Sequence, residues 1–282
     1  MRLFFLAAAL VLISPVASAD EAPNARAAYA ERRGLLEADV QCQLFTNDIR
    51  SALQVSAAQA RGSLLRAGWS DAQMRALESA AVQAARARRC GDPRTETAAE
   101  DARHAFARWV GAGTMEFPGW DRAWIARRAV IGDASWRLSQ TIDAPVAATF
   151  GVRESHGEQH LVLVVPIARG ETPHATAALI MRDPTRAGVA PVSLTQRMAY
   201  GAQAGAPSPR AAQLVPSTRT IERIEGGRNQ AVFTFPDTAF RDLLALDPRE
   251  SVVIELSSGR STTRLYAEVG DIGAARAFLT IR

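Results

Sequence analysis

The densest group of side chains able to bind a metal or move a proton is the segment ESHGEQH, with Glu154, His156, Glu158 and His160. On a helix, two imidazoles four residues apart share one face and can grip zinc. Here Gly157 sits between two apolar, strand-like runs, so the segment reads as a hairpin tip. Zinc would then need a third ligand, with His174 the candidate from across the sheet. The competing expectation is a solvated turn. A hydrolase site built from distant residues would also form around His156, His160 or His174, because a Ser-His-Asp triad is defined by geometry and not by sequence position. His104 lies between Ala102 and Phe106 on a helical stripe and reads as a flank of the helical core.

Much other chemistry is excluded. The chain contains no lysine, so every base is an arginine. That removes the P-loop, Schiff-base catalysis and the protein-kinase site, each of which needs a lysine. H-E-x-x-H, G-x-S-x-G and a strand-following G-x-G-x-x-G do not occur. The acidic residues are scattered, and no pair identifies itself as an acid and a base. No catalytic, cofactor-binding or metal residue is assigned, and no cofactor is implied.

Cys42 and Cys90 are the two cysteines. A redox pair usually stands as C-x-x-C, and a structural metal site takes four ligands, so a structural disulfide is the expectation. Local pattern offers a reason for the pairing. Thr46 or Asn47 can cap a helix running to Ala67, with Gly68 as its stop. Ser70 can cap a second helix over 71–89, ended by Gly91-Asp92-Pro93. Ile49, Leu53, Ala57, Ala60 and Leu64 line one face of the first, and Met74, Leu77, Ala81 and Ala85 one face of the second. Two helices of similar length and a short turn predict an antiparallel hairpin with Cys42 beside Cys90. Closing a ring of that size is expected to stabilise by about 4 kcal/mol. Further helices are predicted over 25–40, capped by Asn24, and over 95–110.

Arg2, the apolar run from Leu3 to Ile13, and Ala17-Ser18-Ala19 have the three-part order of a secretory signal, with the mature chain starting at Asp20. The run falls short of the ~20 residues that span a bilayer. No transmembrane segment is expected after cleavage, and the location is periplasmic or secreted. The net charge of +4 suggests nucleic acid, but the arginines are interspersed with acidic residues instead of forming a one-signed patch. Nucleic acid is therefore not an expected partner.

From Ser135 the period changes to two. Strands are predicted over 135–141, 145–153, 160–168, 175–182, 192–200, 218–224, 231–235, 252–257 and 262–269. Short helices are predicted over 238–246 and 272–279. Residues 201–217, rich in Pro, Gly and Ala, read as a mobile loop or as one that orders on binding, and exposed-loop material over 202–215 counts toward a binding role. The fold class is α+β: a disulfide-tied helical bundle followed by an antiparallel, sandwich-like β-rich domain. The expected layout is a signal over 1–19, a helical domain over 20–112, an aromatic linker over 113–134 and a β-rich domain over 135–282. Within that linker, Trp120 and Trp124 read as an interdomain seam or as an aromatic ligand platform.

The stretches CQLFTNDIRSALQVSAAQARGSLLRAGW and AARARRCGDP resemble exported alphaproteobacterial proteins without an assigned activity. The last ~50 residues (VFTFPDTAFRDLLALDP, then VVIELSSGRSTTRLYAEVGDIGAARAFL) are similar to the invasion-associated locus B family. That resemblance implies a secreted β-rich fold and supplies no functional residues. Family members commonly carry cysteines in the β domain, where this chain has none. The expected function is a non-catalytic envelope protein that binds or assembles with an unidentified envelope component or protein partner. The alternative is a periplasmic hydrolase.

Overall fold

The computed structural model describes residues 21–130, 132, 134–183, 185, 192–259 and 261–281. The signal segment expected over 1–19 lies outside them. No helix among the described residues is long and apolar enough to cross a membrane.

Four helices open the fold: α1 (Glu21–Cys42), α2 (Asn47–Arg66), α3 (Asp71–Arg86) and α4 (Pro93–Gly111). Their starts follow cap chemistry. The Thr46 hydroxyl accepts from the Ile49 amide, and Ser70 with Gln73 forms a reciprocal capping box. Asp92 caps α4, with Pro93 at its first turn. That sets the start of α4 two residues before the expected Thr95. Gly68, at φ +88°, ends α2, and the Trp69 amide reaches back to the Leu64 carbonyl. Asn24 does not cap α1, because it lies inside the helix.

The expected disulfide is present, with Cα atoms 5.6 Å apart. The packing behind it differs from a simple α2–α3 hairpin. Helix α1 lies between α2 and α3 and packs on both. Arg33 and Tyr29 meet Glu78, and Glu37 meets Arg86, so α1 and α3 run parallel. Their C-terminal ends therefore coincide, and Cys42 falls beside Cys90. Gly34, 3.7 Å from the Ala81 carbonyl and 4.0 Å from the Ala85 Cβ, lets the two helices close up.

Eleven described strands follow: β1 (Thr114–Pro118), β2 (Ala123–Arg127), β3 (Ala134–Ile142), β4 (Ala148–Ser155), β5 (Glu158–Ile167), β6 (Thr176–Arg182), β7 (Ala212–Pro216), β8 (Thr218–Arg223), β9 (Asn229–Thr234), β10 (Ser251–Ser258) and β11 (Ser261–Glu268). They form a seven-stranded antiparallel sheet, β1-β2-β3-β4-β5-β9-β8, and a four-stranded one, β11-β10-β6-β7. Three shorter helices complete the fold: α5 (Leu194–Tyr200), α6 (Asp237–Leu244) and α7 (Ile272–Thr280). One apolar core joins the sheets, with Leu138, Phe150, Leu163 and Phe233 from the larger and Leu179, Ile254 and Leu265 from the smaller. The α+β class with a β-sandwich is thus what the chain adopts.

Three expectations change. Residues 192–200 are not a strand: Ser193 and Gln196 form a capping box and start α5. Residues 201–217 are not a loop throughout: a 3-10 turn covers Gly201–Gly205, and β7 pairs with β6 from Ala212 to Pro216. A five-residue edge strand is too short to show a period, and its hydrogen bonds come from a partner distant in sequence. The aromatic linker over 113–134 contains the β1–β2 hairpin of the larger sheet. Trp124 is wholly buried inside the β core, near Phe150.

Candidate functional site

The histidines do not come together. His156 and Gly157 form the tight β4–β5 turn, both with positive φ (53° and 83°). His156 contacts the neighbouring Ser155 hydroxyl at 3.0 Å. His160 stands 3.3 Å from Glu158 and 3.5 Å from Asp237. His174 precedes β6 and meets the Ser258 hydroxyl at 2.7 Å. His104 is exposed on α4. Among the described residues, no group of three His, Cys, Asp or Glu could hold a metal ion.

The seam between bundle and sandwich is elsewhere than the Trp120–Trp124 pair. Trp109 of α4 stacks edge-on against Phe278 of α7 at 5.4 Å. Arg66 of α2 makes two parallel bonds to Asp271, at 2.7 and 3.0 Å, at the start of α7. Behind them lies a buried network on Glu268. Its carboxylate accepts the successive amides of Trp120, Asp121 and Arg122, at 2.6 to 3.3 Å, in the β1–β2 turn. The Arg197 guanidinium approaches it at 3.6 Å. The Glu268 carbonyl accepts from Trp124 Nε1 and Gln140 Nε2. A Cβ on Gly119 would fall 2.3 Å from the Glu268 carboxylate, so only glycine permits this approach. Every group in the network has a protein partner, which makes it a clamp on the fold.

Two carboxylates of the framework give it an acid-sensitive side. Burial pushes Asp39 up, but hydrogen bonds from Arg50 and from the Phe45 and Leu44 amides outweigh it, and the carboxyl sits below its usual range. Asp247 follows the same balance, with Arg249 as donor. Groups held low in the folded chain contribute stability above their unfolded value, about pH 4, and lose it as the pH falls through the folded value. Asp271 is shifted the other way: burial raises it against the opposing pull of Arg66, so its contribution fades as the pH rises through its folded value. Below about pH 4, the Asp39 and Asp247 contributions are therefore expected to be lost, and the urea midpoint to fall between about pH 4 and pH 2. Asp39→Asn should flatten that slope. An unchanged slope in the variant would count against the assignment.

The feature with the make-up of a binding site is a cleft of about 680 Å³ at one end of the sandwich. There α6 and α7 cover the inner face of the larger sheet. The apolar lining comes from Leu138, Val152 and Leu161 of the sheet and from Phe240 and Leu279 of the helices. Its cations are Arg128, Arg137, Arg241 and Arg276, against the carboxylates Glu154 and Asp237. Arg137 stands at a bulge, which brings it and Leu138 to the same face. Trp136 pairs with Arg153 and Leu138 with Val152, which leaves Arg137 as the extra residue. Arg128 serves the fold: it donates to the carbonyls of Val110, Phe278 and Ile281 at the ends of α4 and α7, with its guanidinium 4.0 Å from the Phe278 ring centre. Burial holds its pKa below the ordinary arginine value.

A second groove of about 500 Å³ runs between α1, α2, α4 and β1. Its floor is also apolar, but Glu31, Asp101 and Glu116 face Arg32 and Arg108 around it, so its rim carries both signs.

Of the lining of the first cleft only Glu154 was singled out from the sequence, and there as part of a histidine cluster. Its side chains come from β3, β4, β5, α6, α7 and the end of β2, and no local spacing marks them. The bulge at Arg137 left no sign either: Trp136-Arg137-Leu138-Ser139 alternates apolar and polar without interruption. Compared with protein-family models, curated proteins and solved structures, the chain matches none.

Proposed function

We propose that this chain is an exported, non-catalytic binding protein of the cell envelope, and that its ligand seats in the cleft beneath α6 and α7. The observation that carries the reading is the composition of that cleft. Apolar side chains floor it, cations outnumber carboxylates around it, and its volume lies in the range of small-molecule sites. Export is supported by the signal-like N-terminus and by the Cys42–Cys90 disulfide, a bond that persists in oxidising compartments. The resemblance of the last ~50 residues to the invasion-associated locus B family points the same way. The loop material first expected around 202–215 no longer supports binding, since part of it is strand β7.

Hydrogen exchange tests the reading on the full chain made in a Gram-negative host. Adding an extract of small molecules and lipids from the envelope should slow the amides of α6 and α7 and leave the bundle unchanged. Unaltered α6 and α7, or protection confined to other elements, would remove the cleft from consideration. Recovery of the unprocessed chain in the cytoplasmic fraction would remove export.

A further inference from the structure

The cleft also carries information about the chemistry of its occupant, and this inference rests on the reading just given. We propose that the cleft takes an amphipathic anion: an oxyanion head held by Arg137 and Arg276, with an acyl or similar apolar body on Leu161, Phe240 and Leu279.

Three observations converge. The first is Arg137, which is 9% exposed. Guanidinium has five N–H donors. Here Nη1 donates to the Arg128 carbonyl, while Nε is shielded from solvent and has no hydrogen-bond acceptor. Glu154 stands 3.5 Å from that Nε, close enough for an ion pair and too far for a good hydrogen bond. A buried donor without an acceptor is costly, and one on a residue that lines a cleft is a feature to be explained by what enters the cleft. The second is Arg276. Its guanidinium lies 5.5 Å from the Phe240 ring centre, and among the described residues no carboxylate pairs with it. A ring-supported, unpaired guanidinium is suited to a carboxylate or phosphate. The third is the separation of the lining into parts. Arg241, which pairs with its neighbour Asp242 at 3.6 Å, adds a further cation, while Leu138, Leu161, Phe240 and Leu279 supply apolar lining. A purely apolar ligand would leave the cations unused, and a small inorganic anion would leave the floor wet.

Carboxylate and phosphate heads share this chemistry, and titration calorimetry on the full chain separates them. Dodecanoate, dodecyl phosphate, dodecanol and acetate serve as probes, each below its aggregation threshold and at two salt concentrations. The expected result is saturable binding of at least one anionic amphiphile, about tenfold or more tighter than dodecanol and acetate, and weakened by salt. Tighter binding of dodecyl phosphate assigns a phosphate head, and tighter dodecanoate a carboxylate. Arg276→Gln, at an exposed position, should weaken the anion about tenfold and leave dodecanol unchanged. Arg137→Gln should do the same, and the Arg276 variant keeps the test valid where the Arg137 one fails to fold. Dodecanol binding as tightly as the anions, or no probe binding at all, overturns the proposal. If no probe binds while envelope extract still protects α6 and α7, the ligand is of another class and the broader reading stands.

Discussion

Replacing Asp271 by alanine, with Arg66 left in place, is expected to destabilise the fold by about 3–5 kcal/mol, read as a lowered urea midpoint. The two side chains are 7% and 2% exposed, and both oxygens of the carboxylate are bonded to the guanidinium. Removing one partner leaves an uncompensated charge where water cannot reach it. Gly62 of α2 makes room for the carboxylate, since a Cβ there would lie 2.5 Å from Oδ1. The same residue ties a third element, since the Asp271 amide donates to the Pro118 carbonyl of β1. The double variant Arg66→Met, Asp271→Leu should recover most of the loss, because a buried ion pair is strongly felt when broken and weakly felt when replaced as a unit. A single variant that loses less than about 1 kcal/mol would mean that the pair behaves like an exposed one. Because Arg66 and Asp271 lie 205 residues apart, the loss should also appear as separate unfolding of bundle and sandwich.

Removing the disulfide by the double change Cys42→Ala, Cys90→Ala is expected to cost about 4 kcal/mol by loop-closure entropy for its 48-residue separation. The bond joins the ends of α1 and α3, which are held otherwise by the Tyr29, Arg33 and Glu78 cluster and by the Arg86–Glu37 pair. The exposed or half-exposed ion pairs among these contribute little each. The loss should therefore be local first. Amide exchange in α3 should accelerate far more than in β4 or β5, whose cores do not touch the bond. Equal acceleration throughout would show that bundle and sandwich unfold as one unit.

Local patterns were legible where local chemistry decides them. The caps at Thr46 and Ser70, the stop at Gly68, the hairpin at His156-Gly157 and the short helices α6 and α7 follow from one or two residues and the backbone geometry they favour. Alternation marked β3 and β11, and continuous apolar runs marked β5 and β10, which are buried on both faces over much of their length. Residues 192–200 misled, since S-x-x-Q starts a helix and a short apolar run resembles a strand.

The pairing of Cys42 with Cys90 was fixed by having only two cysteines; the reason their ends meet, a parallel α1–α3 contact, needed the packing. Trp124 illustrates the limit most clearly. Beside a Gly-rich break it reads as a seam, yet its indole N–H reaches Glu268 and Val269 carbonyls some 145 residues away, inside the core. The cleft was hidden for the same reason. By itself the sequence determined the helix caps, the turns, the change from helical to strand period and the two thiols, because each depends on neighbours along the chain. Tertiary structure alone decided the Arg66–Asp271 clamp, the Glu268 network and the gathering of Arg137, Arg276 and Phe240, because those depend on which faces the two sheets and α7 turn toward one another.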